Sequence, residues 1–217
     1  MRSLLYSKNK VRLLVELVLL FAGLPVLLTY NRFGIPLVFI LLALGVLIQL
    51  FLAGDPEFDR SRFFNWHAFR KEWPTLIIFF VIGALLMTLL TWLINPDQLF
   101  LLPRTNPLFL LMISVFYPLF SVVPQGLAYR ALFYHRYAVF FPGKWTKILV
   151  SAAFFSLGHL LYKNLLVLLL AFIAGILFAW RYQRSESLAV SVIEHSLFGV
   201  WLFACGLGMY FVSAFVH

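Results

Sequence analysis

The sequence predicts an all-α fold, a polytopic membrane bundle of seven or eight transmembrane helices. Hydrophobic residues make up 63% of the chain and charged residues 12%, against roughly a half and a quarter in soluble domains. The apolar residues come in successive stretches close to the ~20 residues that cross a hydrocarbon core about 30 Å thick. No linker, Ser/Gly-rich tract, charge block or internal repeat divides the chain, so residues 1–217 read as a single integral-membrane domain.

Leu13 to Tyr30 and Phe33 to Ala53 supply the first two spans, joined as a tight hairpin by Asn31 and Arg32. Gly54 to Trp73 mixes charges with Phe58, Phe63, Phe64, Trp66, Phe69 and Trp73, a composition suited to the headgroup layer. Thr75 to Ile94 is the third span. After a Pro/Asn loop, Asn95 to Pro107, the fourth begins at Leu108 to Val123 and runs through Pro124 into a polar island. Lys147 to Tyr162, Leu165 to Trp180 and Leu188 to Ala204 are the fifth to seventh. Gly206 to Val216 is too short to cross alone, so it extends the seventh helix or forms a partial eighth.

Lysine and arginine in short loops are retained on the cytoplasmic side. With the N-terminus inside, all of them face the cytoplasm except Arg32, Arg104 and Lys163. A bacterial inner membrane is the expected location. The net charge of +9 is thus distributed as topology demands; it calls for no nucleic acid, and it leaves the lipid bilayer as a partner. Cys205 is alone, so it forms no intramolecular disulfide and no Cys-based metal site. A transporter would show paired charges at mid-membrane and inverted repeats, and the sequence displays neither.

Function is sought in three polar islands, because an ionisable side chain in hydrocarbon tends to face a cavity or a partner. The first is Pro124-Gln125-Gly126-Leu127-Ala128-Tyr129-Arg130, where Gly126 and Arg130 are four apart and share a helix face. The second is Phe155-Ser156-Leu157-Gly158-His159, which puts Phe155 and His159 one turn apart. The third is Glu194-His195; neighbours on a helix point about 100° apart, so the two do not face one site squarely. By span position Gln125 lies near the cytoplasmic edge, His159 nearer the outside and His195 near the middle. They meet if the fourth helix reaches deeper into the membrane, kinked at Pro118 and Pro124. His135 reads as part of an aromatic and basic interfacial belt, and His67 and His217 as peripheral.

The order of these islands, concentrated in residues 120–200, resembles the CPBP family, the intramembrane proteases that include the CAAX prenyl endopeptidases and bacteriocin-processing relatives. The family's Glu-Glu-x-x-x-Arg motif, aligned on Arg130, has Gln125 and Gly126 in place of its glutamates. Its Phe-x-x-x-His motif is matched by Phe155 and His159. Its His-x-x-x-Asn/Asp motif is matched by His195 but has Gly199 at the second position. The resemblance implies an intramembrane endopeptidase: activated water attacks a peptide bond of a membrane-associated peptide or protein, with His159, His195, Gln125, Gly126 and Arg130 at the catalytic positions. In the family the first glutamate activates the water and the asparagine stabilises the oxyanion.

An amide such as Gln125 cannot take a proton from water as a carboxylate can. Gly126 has no side chain, and Gly199 offers only its backbone N–H. Glu194 could serve as the base after local unwinding near His195. The alternative is a non-catalytic relative, an immunity or assembly factor binding a peptide or lipid in the same cavity. A divalent metal such as zinc is left open on His159 and His195. The signal for it is weak, since a catalytic zinc takes three protein ligands and no His-Glu-x-x-His helix is present.

Overall fold

In hydrocarbon an unpartnered backbone N–H or C=O is costly, so a chain this apolar closes its hydrogen bonds within helices. The computed structural model describes residues 9–30 and 35–211, and every regular element among them is helical. In chain order these are α1 (Lys10–Leu28), α2 (Leu37–Gly54), α3 (Trp66–Ile94), the short α4 (Leu101–Thr105), the long rod α5 (Pro107–Phe140), α6 (Lys144–Leu157), α7 (Leu165–Ser185) and α8 (Leu188–Cys205). All but α4 and α6 are long and apolar enough to cross a membrane, which makes six. Their outer faces stay apolar: Leu85 and Leu93 of α3 are 66% and 64% exposed, as suits a lipid-facing surface.

The difference from seven or eight arises at two places. α6 has 14 residues, about 21 Å of helix, and ends before Gly158 instead of running to Tyr162. Here the chain turns: Leu160–Tyr162 is a tight 3-10 turn and Lys163 is left-handed. Asn164 then caps α7 by accepting from the N–H groups of Leu166 and Val167. At the other place α8 stops at Gly206, whose φ of +108° favours glycine. Only the 3-10 turn Leu207–Phe211 follows, so no further crossing forms among the described residues. Arg2, Lys8, the Asn31–Arg32 hairpin turn, residues 212–216 and His217 lie outside them.

Trp66 to Trp73 is not a separate interfacial segment. Asn65 caps α3 by accepting from the Ala68 N–H, and the helix runs unbroken through Pro74. The aromatic band survives as a ladder that leads onto that helix, from Phe64 just before its cap to Trp66, Phe69 and Trp73, at ring spacings of 6.0, 5.3 and 5.3 Å. The Arg70 guanidinium lies 5.2 Å from the Trp66 ring.

α5 is one rod because Pro118 and Pro124 are absorbed rather than broken at. Proline cannot donate to the preceding turn, and π-helical stretches, Pro118–Val122 and Leu127–Tyr137, take up the strain. This carries Gln125 to the middle of the rod and removes the depth mismatch. Phe21 of α1, 1% exposed, seats the rod by packing against its Tyr129, Phe133 and Tyr137, and against Phe154 of α6. Gly175 of α7 lets the α6 backbone approach: a Cβ there would stand 3.0 Å from Ala152 Cα.

Charged contacts gather where α1, α3 and α8 begin and α2, α5 and α7 end. Arg136 pairs with Glu16 at 2.6 Å, His135 with Asp55 at 2.9 Å and Arg62 with Glu186 at 2.8 Å. Arg181 joins Glu72 at 2.5 Å and Glu194 at 2.8 Å, and Arg184 joins Glu72 at 2.8 Å. Paired charges therefore exist between helices, but toward the helix ends rather than at mid-span.

Candidate active site

The polar islands meet around Phe155, a residue 2% exposed in the last turn of α6. The Arg130 guanidinium, from α5, stands 4.5 Å from its ring centre. The His159 ring packs on it edgewise at 4.8 Å and the His195 ring, from α8, at 5.3 Å. Phe178 of α7 completes the group, 6.1 Å from Phe155 and stacked on His195 at 4.5 Å. Four helices thus contribute to one aromatic and cationic centre.

His159 sits just past the end of α6, where the helix no longer claims its last carbonyls. Its Nδ1 lies 2.8 Å from the Phe155 carbonyl oxygen. A carbonyl can only accept, so Nδ1 carries the proton, and in the neutral ring Nε2 keeps the lone pair. His195 presents Nε2 to the hydroxyl of Tyr117 at 3.4 Å, too long for a strong hydrogen bond. Tyr117, Phe155, His159, Phe178, His195 and Gly199 line a mainly apolar cavity of about 260 Å³. On the other side of His159 a smaller one, about 80 Å³, is bordered by Gln125, Tyr129 and Gly158. His159 borders both.

The remaining predicted residues are placed differently. Gln125 donates through Nε2 to Ser121 Oγ at 2.8 Å, and its buried Oε1 has no hydrogen-bond partner among the described residues. It reaches His159's smaller cavity but not the one lined by His195. Gly126 backs onto α8, where a Cβ would meet Val192 Cγ2 at 2.8 Å and Leu188 Cδ1 at 3.1 Å. Gly126 and Arg130 meet different neighbours four residues apart: Gly126 packs on Val192 and Leu188 of α8, and Arg130 on Phe155 and Phe178. Glu194 is fully buried on Arg181, accepting from Nε and Nη2, within an unbroken α8. It points away from the cavity that His195 lines, and the unwinding that would turn it inward is absent. Nη1 and Nη2 of Arg130, a residue 1% exposed, have no hydrogen-bond partner among the described residues, so the aromatic faces of Phe155 and Phe178 are its principal contacts.

The donor set does not amount to a catalytic zinc site. Among the described residues no group of three His, Cys, Asp or Glu side chains could hold a metal, and a three-ligand site needs a third donor beside the two imidazoles. His135 is not that donor, since it is bound to Asp55 and packed on Phe58 at 5.1 Å. His67 is exposed at the start of α3.

Sequence reasoning missed Tyr117 and Phe178. Both lie in apolar runs where an aromatic reads as ordinary core, and only Gly199, one turn past His195, hinted that something else fills its space. Residues 103–201 match the family model described as Type II CAAX prenyl endopeptidase Rce1-like. This stretch is Rce1-like. It runs from α4 into the last turn of α8 and contains Tyr117, Gln125, Arg130, Phe155, His159, Phe178, His195 and Gly199. The CAAX-protease resemblance expected over 120–200 therefore holds over a slightly longer segment, and α1 to α3 lie outside the Rce1-like match. No curated protein and no solved structure matches the chain.

Proposed function

We propose that this integral membrane protein is an intramembrane endopeptidase of the CAAX-protease type, hydrolysing a peptide bond of a membrane-associated substrate in the cavity lined by His159 and His195. The observation that carries the reading is the convergence of both motif histidines and the motif arginine on Phe155, inside the Rce1-like stretch. His159 acts as the base. Its Nδ1–H is held by the Phe155 carbonyl, so Nε2 takes a proton from water as the oxygen attacks the peptide carbon. His195 borders the same space, and the stacked Phe178 fixes its ring plane. Arg130 and Phe155 hold the two histidines at their mutual angle. The lysine and arginine bias of the loops supports a cytoplasmic N-terminus as part of this reading, which takes a bacterial inner membrane as the location.

One observation favours a second, non-catalytic reading in which the cavity binds a peptide or lipid. None of the eight carboxylate side chains lines either cavity, and Gly126, at a family glutamate position, is closed over by Val192 and Leu188. Purified protein in lipid nanodiscs, incubated with a panel of fluorogenic membrane-anchored peptides, decides between the two. The peptidase reading expects slow cleavage that falls by about 10² or more in His159→Ala while the variant still folds. Absence of cleavage by the unaltered protein, with peptide binding retained, establishes the second reading instead.

A further inference from the structure

Position 199 is one helical turn beyond His195 on the same face of α8, where the family motif calls for an asparagine or aspartate. Here it is glycine, and the space is not empty. A Cβ built on Gly199 would collide with Tyr117 Cε1 and stand 2.6 Å from its hydroxyl oxygen. Tyr117 comes from α5, beyond the three recognised motifs, and its ring packs edgewise on Phe203 at 5.6 Å and His195 at 6.3 Å. We infer that the Tyr117 hydroxyl replaces the missing side chain at position 199, donating a hydrogen bond to the carbonyl oxygen of the scissile peptide as negative charge develops on it.

Three features support this beyond the overlap. Tyr117 lines the same 260 Å³ cavity as His159 and His195, so a carbonyl placed for water attack near His159 lies in the space the hydroxyl borders. The separation of 3.4 Å from His195 Nε2 leaves the phenol proton uncommitted to a strong hydrogen bond. A tyrosine hydroxyl is also one of the side-chain donors that serve as oxyanion partners, whereas the side chain of glycine donates nothing. The competing account is that Tyr117 only fills volume left by glycine. That account assigns no work to the hydroxyl.

The inference rests on the peptidase reading above, and the experiment separates their failures. Tyr117→Phe keeps the ring and removes only the donor. In the nanodisc cleavage assay kcat should fall by about 10² to 10³, with KM changed less than about twofold and the thermal midpoint unchanged. Tyr117→Ala combined with Gly199→Asn puts an amide into the vacated space and should recover at least about tenfold over Tyr117→Ala alone; this pair decides the matter if Tyr117→Phe fails to fold. Cleavage by the unaltered protein with an unchanged kcat in Tyr117→Phe, or no recovery in the double variant, overturns the role of Tyr117 alone. Absence of cleavage by the unaltered protein overturns it together with the peptidase reading.

Discussion

Arg181 and Arg130 are both buried arginines in the helical bundle, one 0% and the other 1% exposed, and their surroundings are opposite. Arg181 is fully paired: Glu194 and Glu72 accept from it at 2.8 and 2.5 Å, and Thr75 at 2.9 Å. Among the described residues Arg130 has no carboxylate beside it, and it rests on the faces of Phe155 and Phe178 at 4.5 and 5.7 Å. Both aromatic contacts are of the cation–π kind, worth up to about 2 kcal/mol when desolvated. The first arginine neutralises charge and ties α3, α7 and α8 together. The second keeps an uncompensated cation next to two imidazoles, an arrangement that packing alone does not call for.

The contrast can be broken most forcefully at Arg181. Arg181→Met leaves Glu194 and Glu72 buried without their main counter-charge and should lower unfolding stability by about 3 to 5 kcal/mol, measured by thermal unfolding in detergent. Glu194→Gln should cost about 1 to 3 kcal/mol yet leave kcat of the folded fraction within twofold; a collapse of kcat would restore Glu194 as a base. Gly126→Glu should destabilise by about 1 to 3 kcal/mol through overpacking against Val192. Adding Val192→Ala should relieve this, and a rise in cleavage by the double variant would identify the missing acid.

Arg130→Met sharpens the comparison from the other side. Because no anion is left behind, stability should change by less than about 1 kcal/mol or rise, while cleavage falls as the histidines lose their support. A loss as large as that of Arg181→Met would erase the distinction. An effect on stability alone, with cleavage untouched, is expected at Asp55, outside the spans. Burial raises its carboxyl, but the His135 hydrogen bond, the Glu57 N–H and the charges of His135 and Arg136 outweigh this and hold it below the ordinary value of 3.8. A depressed folded value means the stabilisation is complete above about pH 4 and is lost as pH falls through the folded value. Asp55→Asn should therefore cost about 1 kcal/mol at neutral pH and flatten the unfolding profile below about pH 4.

Much of the bundle was legible because the burial rule for lipid is one-dimensional. A run of apolar residues long enough to cross must be helical, and the six spanning helices, their order and the aromatic band at Trp66 to Trp73 follow from that. The fifth expected span runs too far at its C-terminal end: Leu160 to Tyr162 are as apolar as any helix, but the helix stops before Gly158 and Asn164 caps the next, while α6 still carries the chain from the end of α5 to the start of α7. Phe155, His159, His195 and Arg130 stood out as polar or motif residues in an apolar background. Tyr117 did not, being one aromatic among many.

By itself the sequence determined an all-helical membrane protein, the polar islands and the absence of the motif glutamates, since these depend on composition and local period. Only the tertiary structure decided that Glu194 belongs to Arg181, that Gly126 backs onto Val192 and that Tyr117 occupies the space beside Gly199. The physical reason is that a side chain's chemistry is set by the neighbour it meets across helices.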